Sequence, residues 1–276
     1  MSPDEYCARN AAPAGSALHY ALRLAPSDRR AAIAAVHAFC REVREAGRSV
    51  SDANVARLKL GWWRTEIDAA YVGNAQHPVA QALSPAVRAF ALPRSAFDAV
   101  IDGVALDVGR DACANFAALE AFCRQVGGGV AGLATRILGG NESTQPYASD
   151  LGVALQLTAI VQRVAADLRH GRVYLPQDDL ARHGVTTEDL LQRRATPGFV
   201  ALMALEAQRA RERYARAVSA LPAAERRAQR PGLAMAAMGR ALLDEIERDG
   251  FRVLDRRISL TPLAKAWIAW RTSWRR

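Results

Sequence analysis

The sequence predicts an all-α fold, and three observations support this. Alanine is abundant, runs of β-branched residues are short, and apolar residues recur three and four positions apart over long stretches. This spacing places them on one face of a helix. Half of the 276 residues are hydrophobic and 24% are charged, which is enough for a substantial core. No linker or change in composition divides the chain, so we expect one domain over residues 1–276.

Helix boundaries can be placed in chain order. The first long helix is expected over 27–47, because its start carries residues that favour an N-cap. The next begins near Ser51 and Asp52 and is broken at Gly73, and Pro78 opens a third. The face of the second helix is predicted to consist of Leu58, Trp62, Ile67 and Tyr71. Further helices are expected over about 93–108, 114–138, 143–169, 197–220, 231–254 and 261–274.

The charge and the cysteine content of the chain narrow the range of partners and sites that can be expected. Lys plus Arg outnumber Asp plus Glu by 37 to 28, a formal charge of +9, so the expected partners are anionic. Nucleic acid is not expected, because no nucleic-acid-binding motif accompanies the charge. The four cysteines are far apart in the sequence, which argues against a zinc site and a disulfide scaffold and favours a reducing cytoplasm. No apolar run is long enough for a membrane span, and no signal peptide is expected.

Polar residues form a line on an otherwise apolar helix near residue 160. Gln156, Arg163 and Asp167 follow one another at spacings of seven and four, which places them on one face. A buried helix with a polar line usually borders a cavity. The alternative is that Arg163 and Asp167 form an ion pair at a solvated edge.

A second stripe lies on the first long helix, where His37, Arg41, Arg44 and Arg48 follow at spacings of four, three and four. Such a stripe alone is typical of a solvated helix face. If it faces the other polar stripe across a bundle, it becomes a candidate pocket for phosphate groups. The segment 172–179, which contains Arg172 and Tyr174, is predicted to be a loop, and loops of this kind often cover a cavity in a bundle.

Several collinear segments resemble the squalene/phytoene synthase family, and in particular the bacterial presqualene diphosphate synthases of hopanoid biosynthesis. These segments are 38–43 (AFCREV), 60–64 (LGWWR), 151–158 (LGVALQLT), 171–176 (GRVYLP) and 257–263 (RISLTPL). The resemblance implies the isoprenoid synthase fold, a helical bundle around a central cavity. It also implies a prenyltransferase activity in which two farnesyl or geranylgeranyl diphosphates condense head to head.

The chemistry of this family depends on magnesium. Ionisation of an allylic diphosphate leaves a carbocation and a pyrophosphate, and Mg²⁺ neutralises the charge on the leaving group. Mg²⁺ requires oxygen ligands in near-octahedral geometry, which the family supplies from aspartates on two facing helices. An apolar cavity shields the cation from water.

The chain departs from both aspartate motifs of the family. Where the first motif is Asp-Asp-x-x-Asp, residues 44–48 read REAGR, with arginine at both outer positions. In the second motif, Asn-x-x-Arg-Asp-x-x-Glu-Asp, residues 159–167 keep only the last carboxylate, Asp167. His37 replaces a family tyrosine, and Arg136 stands where an acid is usual.

We therefore expect that a trinuclear magnesium cluster does not assemble. Glu45 and Asp167 could hold one ion at most, and Asp167 could instead be occupied by Arg163. Arginines can still bind a bare diphosphate through paired hydrogen bonds. The expected substrate-binding residues are His37, Arg41, Arg44, Arg48, Gln156, Arg163, Arg172 and Tyr174.

Three functions remain open at this point. The first is a divergent family member that binds an isoprenoid diphosphate or related lipid with weak or absent condensing activity. The second is a working condensing enzyme in which arginines take over from magnesium. The third is a scaffold or assembly protein that keeps only the fold.

The C-terminal helix suggests a second partner. Trp267, Trp270 and Trp274 are spaced by three and four, and Lys265, Arg271, Arg275 and Arg276 accompany them. This composition suits a lipid headgroup interface, although aromatic residues at this spacing are also typical of ordinary packing. We expect a cytoplasmic protein with a peripheral contact at the inner face of the membrane.

Overall fold

The computed structural model describes residues 1–48, 52–108 and 113–274, and this part of the chain is α-helical without any β-strand. The predicted all-α class is confirmed. The helices are α1 (Pro3–Ala11), α2 (Ala17–Leu22), α3 (Ser27–Arg48), α4 (Ala53–Val72), α5 (Pro78–Ala89), α6 (Arg94–Asp107), α7 (Phe116–Cys123), α8 (Gly129–Ile137), α9 (Gln145–Leu168), α10 (Gln177–Arg182), α11 (Thr187–Leu191), α12 (Pro197–Ala220), α13 (Arg230–Arg248) and α14 (Pro262–Trp274). A π-helical turn, Arg124–Gly128, joins α7 to α8.

Helix α9 lies at the centre of the bundle. It packs along α12 and also contacts α7, α8, α13 and the π-helical turn. By length and composition the segment Glu142–Leu168 could cross a membrane, but 61% of its most apolar window is buried inside the protein. Its apolar character is explained by this central position, because neighbouring helices cover most of its surface.

Helix α3 packs against α1, α4, α5, α6 and α8. It does so through an apolar face on which Ile33, Val36 and Val43 are buried and Cys40 is half-buried. The predicted face of α4 is wrong in part. Leu58 and Trp62 are exposed, and the helix instead buries Leu60, Trp63, Ile67 and Ala70 at spacings of three, four and three.

Most predicted helix boundaries agree with the structure within a few residues. Helix α12 has the predicted bounds, and α4 ends at Gly73, whose φ of 80° provides a left-handed cap. The predicted start at Ser51 lies outside the described residues. The prediction for α13 is too long, because the chain turns at Gly250 and Phe251, both with positive φ, and the helix ends at Arg248. The predicted helix over 114–138 is interrupted by the π-helical turn.

Two glycines allow α9 to touch the π-helical turn. A Cβ atom on Gly152 would lie 2.2 Å from the carbonyl oxygen of Gly127, far closer than real Cβ atoms approach. Glycine is therefore required where the two backbones cross. The same crossing places Gln156, one turn further along α9, beside Gly127.

Candidate functional site

Two adjoining cavities lie between α3 and α9. The first, which we call the apolar cavity, has a volume of about 260 Å³. Helices α2, α3, α8, α9 and the start of α13 form its walls, with side chains such as Leu18, Ile33, Val130, Leu155 and Met235. A space of this shape and lining accepts a hydrocarbon chain.

The second cavity, the basic vestibule, has a volume of about 610 Å³ and lies between the C-terminal halves of α3 and α9 and the segment 253–257. Among the described residues, only two carboxylates line it, those of Glu45 and Asp255. In the same part of the chain seven arginines line it, namely Arg41, Arg44, Arg48, Arg163, Arg169, Arg256 and Arg257. The vestibule is therefore strongly cationic and suited to a phosphate-bearing group.

The two cavities meet at His37, Cys40 and Arg44, which line both of them. These three side chains lie on successive turns of α3. His37 and Arg44 belong to the predicted stripe, and Cys40 joins them from beside it. An amphiphile with an anionic head and an apolar tail could therefore extend from one cavity into the other past Arg44.

Arg44 joins the two predicted stripes. Its Nη1 atom donates a hydrogen bond to Oε1 of Gln156 at 3.0 Å, so the polar lines of α3 and α9 face each other. Arginine can only donate, which fixes the amide oxygen of Gln156 toward Arg44. The amide nitrogen of Gln156 then has no partner among the described residues, although the side chain is only 5% exposed. A buried donor without a partner is costly, and a ligand oxygen in the apolar cavity would satisfy it.

Behind Arg44, Arg48 forms a buried ion pair across the helix interface. Its Nη2 atom lies 3.2 Å from Oδ1 of Asp167 and donates to the hydroxyl of Tyr174 at 3.1 Å. Burial opposes the charged guanidinium, but Tyr174, Asp167 and Asp107 together raise the pKa of Arg48. Burial raises the pKa of Asp167, and nearby Arg48 and Arg163 counteract it.

The loop after α9 is held by the same network. Tyr174 donates to Oδ2 of Asp107 at 2.6 Å, and Phe122 stacks on its ring. Arg172 donates to the backbone oxygens of Asp107 and, at 3.1 Å, of Gly47. Neither Arg172 nor Tyr174 lines the apolar cavity or the basic vestibule. Tyr174 therefore positions Arg48 through its hydroxyl, and Arg172 ties the loop to the C-terminal ends of α3 and α6.

Asp107 is the residue that sequence reasoning missed. It is the last residue of α6, where a carboxylate is disfavoured by the helix dipole unless it has a cationic partner. That position is the one signal that could have indicated a buried partner, since no recognised motif contains Asp107.

The predicted pair of Asp167 and Arg163 is present, but it is not the main contact of Asp167. Arg163 lies 4.0 Å from Asp167, and 39% of its side chain is exposed, whereas Arg48 is nearer and its side chain is only 11% exposed. Arg48 is favoured because it approaches from the facing helix and is shielded from water. Arg41 is exposed at the edge of the vestibule and donates to the backbone oxygen of Asn10 at 2.7 Å.

The donor set around the vestibule does not fit a magnesium cluster. Asp167 is engaged by Arg48, and Glu45 is exposed. Within 1–48, 52–108 and 113–274, no three His, Cys, Asp or Glu side chains are grouped to hold a metal ion. Mg²⁺ takes hard oxygen ligands, and guanidinium groups supply none.

Two titratable groups at the junction of the cavities are neutral near pH 7. Burial lowers the pKa of His37 to about 4, so its imidazole is uncharged. Burial also raises the pKa of Cys40, so its thiol stays protonated. The charge at the junction is therefore carried by Arg44.

Comparisons with known proteins agree with this architecture. Residues 11–264 match the family described as squalene/phytoene synthase. The phytoene synthase of Mycobacterium tuberculosis is 34% identical over 260 residues, which cover 91% of this chain and 84% of that protein. The solved structure of squalene synthase HpnC from Alicyclobacillus acidocaldarius has a TM-score of 0.77 at 26% identity, over 90% of this chain and 94% of the other.

A dehydrosqualene synthase solved in complex with a ligand has a TM-score of 0.85 at 22% identity, over 98% of this chain and 95% of that chain. This likeness confirms the predicted isoprenoid synthase fold. Taken with the family match and the identity to phytoene synthase, it confirms the resemblance noted in the sequence: the chain belongs to the squalene/phytoene synthase family.

Proposed function

We propose that the protein binds an isoprenoid diphosphate of the farnesyl diphosphate type through arginines, and that its magnesium-dependent head-to-head condensation is weak or lost. Family membership supports a function of the isoprenoid prenyltransferase type. The single observation that carries the finer proposal is that the apolar cavity and the basic vestibule adjoin, with His37, Cys40 and Arg44 lining both.

The vestibule has cationic groups available for a diphosphate. Arg41, Arg44, Arg169 and Arg257 line it, and none of them has a carboxylate within 4.0 Å in the part of the chain that the structure describes. Arginine binds phosphate oxygens through two parallel hydrogen bonds without a metal. The amide nitrogen of Gln156 adds a donor on the cavity side.

Two features support weak or lost condensation. Cations stand where the family binds Mg²⁺, and a guanidinium supplies less charge to a leaving pyrophosphate than a cluster of divalent ions. The apolar cavity, at about 260 Å³, is slightly smaller than the roughly 300–1,000 Å³ of small-molecule pockets. That volume suits one isoprenoid tail better than the two that condensation requires.

Titration calorimetry with farnesyl diphosphate tests the proposal. We expect salt-sensitive binding that is the same in EDTA and in excess Mg²⁺. Arg44→Gln should weaken it by about tenfold or more, since a charged hydrogen bond contributes about 1.5–3 kcal/mol. Arg240→Gln is the matched control, because Arg240 is exposed on α13 and lines neither cavity. Binding that requires Mg²⁺, or equal loss in both variants, would contradict the proposal.

A second candidate is an active condensing enzyme, a presqualene diphosphate or squalene synthase of hopanoid or related terpenoid biosynthesis. The similarity to proteins named phytoene synthase and squalene synthase favours it. Labelled farnesyl diphosphate with Mg²⁺ and a reductant distinguishes the two candidates, because only this one predicts a condensed product. If the protein shows neither affinity nor product, a scaffold role remains.

We also propose that the protein is cytoplasmic and contacts the inner face of the membrane through α14. This is supported by the exposure of Trp267, Trp270 and Trp274. Sedimentation with liposomes, with and without residues 261–276, tests this contact. Equal retention of the two forms would exclude it.

A further inference from the structure

An apolar stripe runs along the outer face of α14. Leu263, Trp267, Trp270 and Trp274 follow one another at spacings of four, three and four and are between 52% and 82% exposed. The Trp267 and Trp270 rings stack with centroids 4.8 Å apart, and Trp274 adjoins Trp270 at 5.8 Å. We call these four side chains the α14 stripe.

The inner face of α14 lies one layer away from the apolar cavity. Ile268 packs against a small cluster formed by Ala21 of α2 with Ala234 and Met238 of α13, to which Met235 also belongs. Ala21 and Met235 line the apolar cavity as well. The corner where α2, α13 and α14 meet is therefore the wall between the hydrocarbon end of the cavity and the α14 stripe.

The charge near the stripe indicates its partner. Arg271 is exposed beside Trp270, whereas Lys265 lies on the opposite face of the helix and donates to the backbone oxygen of Gly15 at 2.9 Å. The whole chain carries a formal charge of +9. Tryptophan rings are enriched at the headgroup level of bilayers, and basic residues nearby are attracted to anionic lipids. A linear stripe of large apolar side chains beside an exposed arginine, on a protein of net positive charge, matches an anionic bilayer.

We infer that the α14 stripe docks the protein on an anionic lipid bilayer, and that an isoprenoid tail passes between this bilayer and the apolar cavity through the α2–α13–α14 corner. The second part rests on the proposed binding of an isoprenoid diphosphate, whereas docking rests only on the membrane contact proposed for α14. Each methylene group exposed to water carries a transfer cost. A tail that enters the cavity directly from the bilayer exposes fewer of its methylene groups to water than a tail that crosses the solution.

Docking is tested with vesicles and no other ligand. The protein should sediment with phosphatidylcholine–phosphatidylglycerol vesicles, with a blue shift of tryptophan emission, and only weakly with pure phosphatidylcholine. The variant Trp267→Ser/Trp270→Ser/Trp274→Ser should lose about tenfold or more in affinity, from the loss of buried aromatic area. The matched control is Leu58→Ser/Val72→Ser/Leu191→Ser, which removes exposed apolar side chains from α4 and α11, and it should bind as the unchanged protein does.

The alternative occupant of the stripe is a second copy of the chain. Sedimentation velocity without vesicles distinguishes it, because the tryptophan variant would then convert a dimer into a monomer. A dimer of that kind together with no binding to anionic vesicles would overturn the inference. Equal vesicle binding by the tryptophan variant and its control would do the same.

Tail exchange is tested by loading vesicles with labelled farnesyl diphosphate and measuring its capture by the protein. In the unchanged protein the capture rate should rise with vesicle concentration, and in the tryptophan variant it should be slower and independent of that concentration. Inorganic pyrophosphate should bind both forms equally. Vesicle binding without any affinity for farnesyl diphosphate would reject the proposed function and leave docking intact. Capture at equal rates by both forms would reject exchange through the corner.

Discussion

Arg48 of α3 and Asp167 of α9 form a buried ion pair across the bundle, with Nη2 3.2 Å from Oδ1. Arg48→Met should lower the free energy of unfolding by about 3–5 kcal/mol, because it leaves the Asp167 carboxylate buried without its main partner. Arg163→Met should cost no more than about 1 kcal/mol, since its pair with Asp167 is long and partly exposed. Urea unfolding measures both. Equal losses would mean that Arg163, as the sequence suggested, is the partner that matters.

Burial of Glu206 should make the free energy of unfolding depend on pH. It is 1% exposed, its Oε1 accepts from Arg209 at 2.6 Å, and its Oε2 has no partner among the described residues. Burial is the main cause that raises the pKa of Glu206 to about 7 from its ordinary 4.5, while Arg209 opposes the rise. Near neutral pH the folded state therefore holds a proton that the unfolded state has lost.

The sign follows from this difference in bound protons. Below about pH 4.5, Glu206 is protonated in the folded and the unfolded state, and its contribution to the free energy of unfolding is fully present. That contribution declines as the pH rises and is lost above about pH 7. At 1.36 kcal/mol per pKa unit, the loss is about 3 kcal/mol. Glu206→Gln should flatten the decline in a series of urea titrations, whereas Glu212→Gln, at an exposed position of the same helix, should leave it unchanged. A decline that persists in Glu206→Gln would assign it to other groups.

Because α9 crosses the π-helical turn closely, we predict that alanine has opposite effects on stability at Gly152 and at Gly132. Gly152→Ala would place Cβ 2.2 Å from the Gly127 carbonyl oxygen, whereas a Cβ on Gly132 of α8 meets nothing within 4 Å. Gly152→Ala should therefore destabilise the protein by about 1–3 kcal/mol through overpacking. Gly132→Ala should stabilise it by up to about 1 kcal/mol through helix propensity. Thermal unfolding of the two variants measures the difference, and similar midpoints would contradict the close crossing.

The sequence was informative where local spacing decides the structure. Helical periodicity predicted the all-α class and the polar stripes of α3 and α9, and the structure brings Arg44 and Gln156 of those stripes together. Periodicity could not choose between neighbouring faces of α4, where Trp62 is exposed and Trp63 is buried, because both are large aromatics one position apart. That choice depends on which helix packs alongside.

The partners within the site depend on the tertiary fold. In the sequence, Arg163 is four residues from Asp167 and Arg48 is remote, yet Arg48 forms the closer pair. Asp107 joins Tyr174 from a third helix, and no spacing rule connects α6 with the loop after α9. Family resemblance supplied candidate positions, whereas packing determined which charges meet.

Placing carboxylates at the arginine positions tests whether these arginines exclude magnesium. In the variant Arg44→Asp/Arg48→Asp/Arg163→Asp, the new carboxylates join Asp167 and can offer Mg²⁺ the oxygen ligands it requires. Millimolar Mg²⁺ should then raise the melting temperature of the variant, since a ligand at 100 times its Kd stabilises by about 2.7 kcal/mol. The unchanged protein should show only the small shift that NaCl of equal ionic strength produces.

The triple variant removes the partner of a buried carboxylate, so its folding must be checked by circular dichroism. Arg44→Asp alone is the companion variant, because Arg44 contacts neutral Gln156 and has no carboxylate within 4.0 Å among the described residues. It should fold, weaken diphosphate binding in EDTA and recover part of that binding when Mg²⁺ bridges the new carboxylate and the phosphate. A Mg²⁺-specific rise in the melting temperature of the unchanged protein would show instead that its own Glu45 and Asp167 hold the ion, and that Arg48 leaves Asp167 free to do so.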